Sequence, residues 1–338
     1  MSFSFAIAYL INIGNAKMDA YNNAPIATTV TPYCNVVDSL ILIEIYNATD
    51  GDNWTSSWDT SMPVCTWGLS VTLNASGNVT HIVLNNNNLV GTLPPDIAGL
   101  AGSLLVLQID NNCLSGPIPP ELGDCLLLQT LFLDDNKFTG PIPSTFNQLT
   151  NLLTLFLDNN DLSGTIPDLT NMNSLQNFDI FTNCFDSLPD LSDLLSLQPN
   201  SLEVENNKLT FDDLVPNQLE IGPHYIPQDS FGIPITICLP TGLDTFVDLG
   251  IDAGLTTNTY EWFKDAVSHS TTTTNKLFFS PVDWDDAGVY TANVTNSIMT
   301  GLTLNGRPIT VKVVCGQSFN FIQDTFCSGS GQSINIAG

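Results

Sequence analysis

The sequence predicts an α/β solenoid with a right-handed, parallel concave sheet, followed by an all-β sandwich. Two observations carry this prediction. An eleven-residue pattern recurs between Val79 and Leu209, and after Asn217 it gives way to short alternating runs separated by Gly, Asp, Asn and Thr. A third observation bounds both: 338 residues, 43% of them hydrophobic, are too apolar for a disordered chain and enough for two or three domains.

The repeat follows L-x-x-L-x-L-x-x-N-x-L. It reads VTHIVLNNNNL from Val79, LLVLQIDNNCL from Leu104, LQTLFLDDNKF from Leu128, LLTLFLDNNDL from Leu152, LQNFDIFTNCF from Leu175 and PNSLEVENNKL from Pro199, with starts 25, 24, 24, 23 and 24 residues apart. Alternating apolar positions, such as Ile82 with Leu84 or Leu131 with Leu133, make a short strand with one face inward. The apolar residue after the Asn turns the chain back over a core that each coil shares only with its neighbours. The fixed Asn87, Asn112, Asn136, Asn160, Asn183 and Asn207 stand at a bend where backbone groups would otherwise be buried unpaired. An amide both donates and accepts, so a stacked structural ladder is expected there.

These coils resemble leucine-rich repeats. Four of them continue as LVGTLP, LSGPIP, FTGPIP and LSGTIP, which is similar to the plant-type subclass and implies a second short strand and a twist in the solenoid. The fifth reads FDSLP, without the Gly and one residue shorter; the sixth, LTFDDLVPN, is expected to be a terminal cap. Upstream, SLILIEIYNATDGDNWTSSWD and CTWGLSV resemble the N-terminal cap of the same proteins: an amphipathic helix near Ser39 to Tyr46, then a turn whose Trp54, Trp58 and Trp67 fill the cap core. A solenoid end exposes apolar core, so a cap is physically required. Cys34 and Cys65 flank this cap and are the leading disulfide candidates, although sequence does not fix connectivity.

Past the boundary at roughly Gly222 to Ser230, the runs ITICL, TFVDLGI, TYEWFK, KLFFS, GVYTANV and PITVKVV read as strands. Trp262 together with Asp286-Ala-Gly288-Val-Tyr290 resembles an immunoglobulin-like domain, in which the Trp fills the core and the Tyr closes a corner. Ala292 stands where antibody domains carry Cys, so their inter-sheet disulfide is missing and Val247 or Leu249 is expected opposite Ala292. Cys238 with Cys315 and Cys315 with Cys327 stay open as pairs, and Cys113, Cys125 and Cys184 have no assigned partner.

The expected organisation is an apolar start of signal-peptide length at 1–16, a cap at 34–78, six repeats at 79–216, a sandwich at 230–314 and a tail or further module at 315–338. The start lacks a basic n-region, so a signal peptide and a truncated start both fit it. Repeats followed by such a module resemble large secreted surface proteins of bacteria, and the tail reads as the opening of another module, which makes the sequence an expected fragment. Absence of any C-x-x-C or Cys/His cluster favours disulfides over zinc. Five sequons, at Asn47, Asn53, Asn74, Asn78 and Asn293, suit an extracellular setting.

Seven Lys plus Arg against thirty-four Asp plus Glu give a formal charge of −27, which repels phosphate backbones and anionic lipid. Nucleic acid and membrane insertion are therefore excluded as partners, and no run reaches the length of a membrane helix. His81, His224 and His269 lie in separate regions without ligand-spaced companions, and no nucleophile, phosphate-loop or metalloprotease motif occurs. The chain reads as non-enzymatic, with no metal and no cofactor.

Function is then expected on the concave sheet, where equivalent residues stack about 4.8 Å apart. One column runs Val83, Gln108, Phe132, Phe156, Asp179, Glu203; the next runs Asn85, Asp110, Asp134, Asp158, Phe181, Glu205. Three adjacent carboxylates beside two Phe suit a cation, a basic peptide or sugar hydroxyls, with calcium as a weak ligand at most. The same positions also take Asp merely because they face solvent. The leading function is a secreted or cell-surface recognition and adhesion module for a protein or glycan, with Asp110, Asp134, Asp158, Phe132, Phe156, Gln108, Asp179 and Phe181 as contacts. A passive spacer of a larger surface protein and the accessory region of a secreted hydrolase are the alternatives.

Overall fold

In a computed structural model the chain is described for residues 34–232, 234–251 and 255–314. The expected leader at 1–16, the tail at 315–338 and the pairings of Cys315 and Cys327 lie outside these residues.

The N-terminal cap is built on helix α1 (Val36–Ala48), which begins three residues before and ends two after the amphipathic stretch expected from sequence. Asn35 starts it, its side chain accepting from the amides of Val37 and Asp38. Ile41, Leu42, Ile45 and Tyr46 form the buried stripe. Trp54, Trp58 and Trp67 pack beneath it, with ring centroids of Trp54–Trp58 at 4.9 Å and Trp58–Trp67 at 4.6 Å. The disulfide Cys34–Cys65 joins the start of the helix to the Trp turn across 5.7 Å between Cα atoms. Asp38 accepts from the amide of Val79 at 2.7 Å, which locks the cap onto the first coil.

A seven-stranded sheet follows. Its order is β1 (Val71–Leu73), β2 (Val79–Val83), β4 (Val106–Gln108), β6 (Thr130–Phe132), β8 (Thr154–Phe156), β10 (Asn177–Asp179) and β12 (Leu202–Glu203). All neighbours are parallel except β1, which turns back antiparallel on β2 and closes the N-terminal edge. That edge strand, VTL in sequence, has no repeat signature and was not expected. The second strands, β3 (Val90–Gly91), β5 (Cys113–Pro117), β7 (Lys137–Gly140), β9 (Asp161–Thr165) and β11 (Cys184–Ser187), run alongside one another. Five coils therefore contribute one, not four. In the fifth, a register shift between Phe185 and Ser187 absorbs the missing residue, because backbone pairing needs no particular side chain.

The opposite side of the coils departs from a strict α/β reading. Residues Pro95–Leu100, Pro120–Asp124 and Ser144–Gln148 form 3-10 helices, each preceded by a Pro. Two strands and two bends within about 24 residues leave room only for these short, tight turns. The sixth coil ends in α2 (Phe211–Leu214) and α3 (Gln218–Ile221), where Asp213 accepts from Leu188 N at 2.9 Å and Asn217 from Leu191 N at 2.8 Å. These side chains bond buried amides of the fifth coil and so tie the terminal turn back onto the repeat before it.

Among the described residues, eight strands make up the C-terminal part. One sheet orders β13 (Ile235–Pro240), β20 (Ile309–Val314), β18 (Gly288–Asn296), β15 (Asn258–Lys264) and β16 (Val267–Thr272), with β19 (Thr303–Asn305) on β18. The other pairs β14 (Thr245–Asp248) with β17 (Lys276–Phe279). Phe279 meets Tyr290 edge-on at 5.7 Å between the two sheets. Trp262, opposite Ala292 in register, is fully buried, and Val247, Leu249 and Ala292 are buried as well. Tyr290 is buried too, and its Oη donates to the Asp286 carbonyl at 2.8 Å. Strands β16 and β19 are absent from the sequence expectation; VSHSTT is largely exposed and lacks an apolar alternation. Cys238 is exposed, has no disulfide partner among the described residues and lies opposite Lys312.

Candidate functional site

The strand register sets the columns. Val83, Gln108, Phe132, Phe156, Asp179 and Glu203 are consecutive partners across β2, β4, β6, β8, β10 and β12. In β4, β6 and β8 the middle residue is buried and its flanks are half-buried, so one row faces the core and the other the open surface. Phe132 and Phe156 stack at 4.7 Å with their planes 14° apart. Two residues beyond each strand come Asn85, Asp110, Asp134, Asp158, Phe181 and Glu205, aligned by backbone bonds such as Asn111 N to Asp134 O and Asp135 N to Asp158 O, both 3.0 Å. The next residue of every coil, from Asn86 to Asn206, lies in the left-handed region, which Asn and Asp tolerate. Thr182 alone among them is β-branched.

The carboxyl column is less solvated than its sequence suggests. Asp158 is only 7% exposed, and Asp134 is half-buried with an Oδ1 that has no hydrogen-bond partner among the described residues. Burial, reinforced by Asp158 and Asp110, pushes Asp134 up to about 7. Burial likewise raises Asp158 to about 6, although its own backbone and the Asn159 amide oppose the shift. Asp179 rises to about 7 through burial and then the nearby Glu203, and Asp110 is raised mainly by burial. Gln108 and Phe181 are half-buried beside these groups.

The ladder asparagines sit directly behind this face. Asn136, Asn160, Asn183 and Asn207 each accept from an amide one coil back, at Leu114, Phe138, Leu162 and Phe185, and donate to carbonyls of both coils. Asn112 does the same for Asn87 and Leu89, while Asn87 accepts from Ser56 of the cap. Every coil is thereby pinned to its predecessor, which fixes the spacing of the columns.

Asp110, Asp134 and Asp158 do not bring three ligand atoms together. Among the described residues, Glu203, Glu205 and His224 do, one atom of each lying within 4.8 Å of the others. Sequence reasoning set His224 aside as isolated, because its companions precede it by about twenty residues and only the chain's return along β12 joins them. Two open clefts of about 390 and 400 Å³ lie instead beside Trp58 and Trp67 of the cap. No helix among the described residues is long and apolar enough to cross a membrane.

Residues 78–100, 103–125 and 127–149 match the Leucine Rich Repeat family. Three of the coils are leucine-rich repeats. No curated protein sequence matches the chain. Among solved structures, the ectodomain of the receptor kinase SOBIR1 from Arabidopsis thaliana is 26% identical over 52% of this chain and 96% of its own, at a TM-score of 0.45. The BIR2 ectodomain from Arabidopsis thaliana is 24% identical over 51% and 94%, at 0.44. The leucine-rich repeat ectodomain of the Arabidopsis receptor kinase HAESA, solved with a peptide hormone ligand, is 24% identical over 59% and 34%, at 0.47.

Proposed function

We propose that the chain is a non-enzymatic recognition module of the cell exterior, which binds a protein or glycan across the Phe132–Phe156 pair and the Asp110, Asp134, Asp158 column. The observation that carries the reading is the juxtaposition of a stacked, half-exposed aromatic pair with carboxyls held partly out of water. Phenyl faces offer apolar contact and a seat for a cation, while carboxyls near neutrality gain most from an incoming donor or positive charge. Gln108, Asp179 and Phe181 border the same area and extend it. The disulfide-tied cap suits an oxidising compartment. The C-terminal sheets are read as an immunoglobulin-like sandwich, on the pairing of a buried Trp262 with a Tyr290 that bonds back to Asp286, and serve as spacer or second contact.

The test starts with the purified chain on peptide and glycan arrays, followed by titration of any ligand found. Phe132→Ala with Phe156→Ala, and separately Asp110→Asn with Asp134→Asn and Asp158→Asn, should each weaken that ligand by about tenfold or more. Binding that survives both sets unchanged would discard the concave face as the site.

A further inference from the structure

At the last coil, where the two columns end in Glu203 and Glu205, a second group of side chains converges away from the Phe132–Phe156 pair. β12 supplies Glu203, Glu205 follows two residues later, and His224 comes after α3. Backbone bonds hold the returning segment against the sheet edge: Val204 N donates to His224 O at 3.1 Å and Asn206 N to Pro227 O at 2.7 Å. Gln228 Nε2 adds a bond to Val204 O at 3.0 Å. The imidazole is thereby fixed over the two carboxylates, with Nδ1 at 3.2 Å from Glu205 Oε1 and 3.9 Å from Glu203 Oε1. The other oxygen of Glu205, Oε2, is buried and has no hydrogen-bond partner among the described residues.

We propose that Glu203, Glu205 and His224 form a site for one borderline divalent cation of the zinc type, bound through an imidazole nitrogen and two carboxylate oxygens. Ligand atoms about 2.0–2.2 Å from such an ion stand roughly 3.0–3.5 Å apart, so the His224–Glu205 pair is already at ligand spacing and half-exposed Glu203 needs only a small side-chain adjustment. One imidazolium cannot neutralise two carboxylates, and Asp179 adds a third acidic group beside Glu203 in register. A divalent ion balances that charge and gives the orphaned Glu205 oxygen an electrostatic partner. The imidazole and the low ligand count favour zinc over calcium or magnesium, which take six or more oxygens. The ion would clamp the last repeat to the segment whose next residue, Tyr225, donates to the Thr300 carbonyl in the turn between β18 and β19 at 2.7 Å.

The test is calorimetric titration of the chelator-treated full chain with Zn²⁺ at physiological salt, beside Ca²⁺ and Mg²⁺. One zinc per chain is expected, bound more tightly than either other ion. Affinity should fall at least about tenfold in His224→Ala and in Glu205→Gln. It should be unchanged in Glu121→Gln with Asp124→Asn, which removes the same or greater charge from exposed positions elsewhere. Co²⁺ gives a second readout, a visible absorption band present in the parent and absent in His224→Ala, with circular dichroism verifying that the variant is folded. Zinc binding that persists in His224→Ala, or falls equally in the distant charge variant, overturns the site.

Discussion

Replacing Asp134 by Asn should stabilise the chain above neutral pH and flatten the pH dependence of its unfolding. The carboxyl begins from 3.8 when free and sits at about 7 in the folded chain. A raised folded value means that the folded state holds a proton the unfolded state has already released, so between about pH 4 and 7 stability falls as pH rises. Below that window the group is neutral in both states and costs nothing. Above it the charge is carried in full, against burial and against Asp158 and Asp110. At about 1.4 kcal/mol per unit the shift sets an upper bound near 4 kcal/mol, and screening by the water that reaches this half-buried group reduces the expected effect to about 1–2 kcal/mol.

The assay is denaturant unfolding of parent and Asp134→Asn from about pH 5 to 8.5, where midpoints at constant slope report stability. The parent should lose stability up to about pH 7 and level off above it, while the variant keeps only the slope due to Asp110, Asp158 and Asp179, which are raised in the same sense. The variant's margin over the parent should widen from about pH 5 to about 7 and stay constant above it. A variant less stable than the parent at pH 8, or one with an unaltered slope, would refute the claim that this carboxyl is held against its solvation.

Two further outcomes follow from the scaffold. Asn160→Ala strips the acceptor from Phe138 N and a donor from the Leu133 carbonyl inside the stack, and should cost about 2–4 kcal/mol by denaturant midpoint, with faster hydrogen exchange at Phe138; a loss below about 0.5 kcal/mol would sink the ladder's structural role. Cys34→Ser opens a crosslink spanning 31 residues and should destabilise the cap by about 3–4 kcal/mol, read in the fluorescence of Trp54, Trp58 and Trp67, whereas unchanged cap melting would show that packing alone holds it.

The repeat spacing was legible because each coil solves the same burial problem, so Leu107, Leu131 and Leu155 recur in one register and the columns could be written down from sequence. What escaped was whatever a single coil does not repeat. Strand β1 closes an edge that occurs once, Asp213 and Asn217 finish a coil with no successor, and β16 is made of exposed Ser and Thr whose pairing depends on β15. The Glu203–Glu205–His224 group escaped for the same reason, since it exists only where the chain folds back along the last strand. Solvation was also misjudged: a column read as open to water holds Asp158 at 7% exposure, because flanking side chains and neighbouring coils cover it.

The contrast between the two polar columns supports the proposed binding role of this face. Asn160 is as buried as Asp158, two residues away, yet the amide makes four hydrogen bonds to backbone while Asp134, one coil back, leaves an oxygen with none among the described residues. A solenoid selected only for stability would place neutral amides at both positions, as the ladder does, because a buried carboxylate without a counter-charge weakens the fold. Carboxyls retained there lower stability in the free chain, and an arriving cation or donor recovers that loss as binding energy. Stability and affinity should therefore move in opposite directions in Asp134→Asn, whereas a mutation that merely damaged the scaffold would lower both.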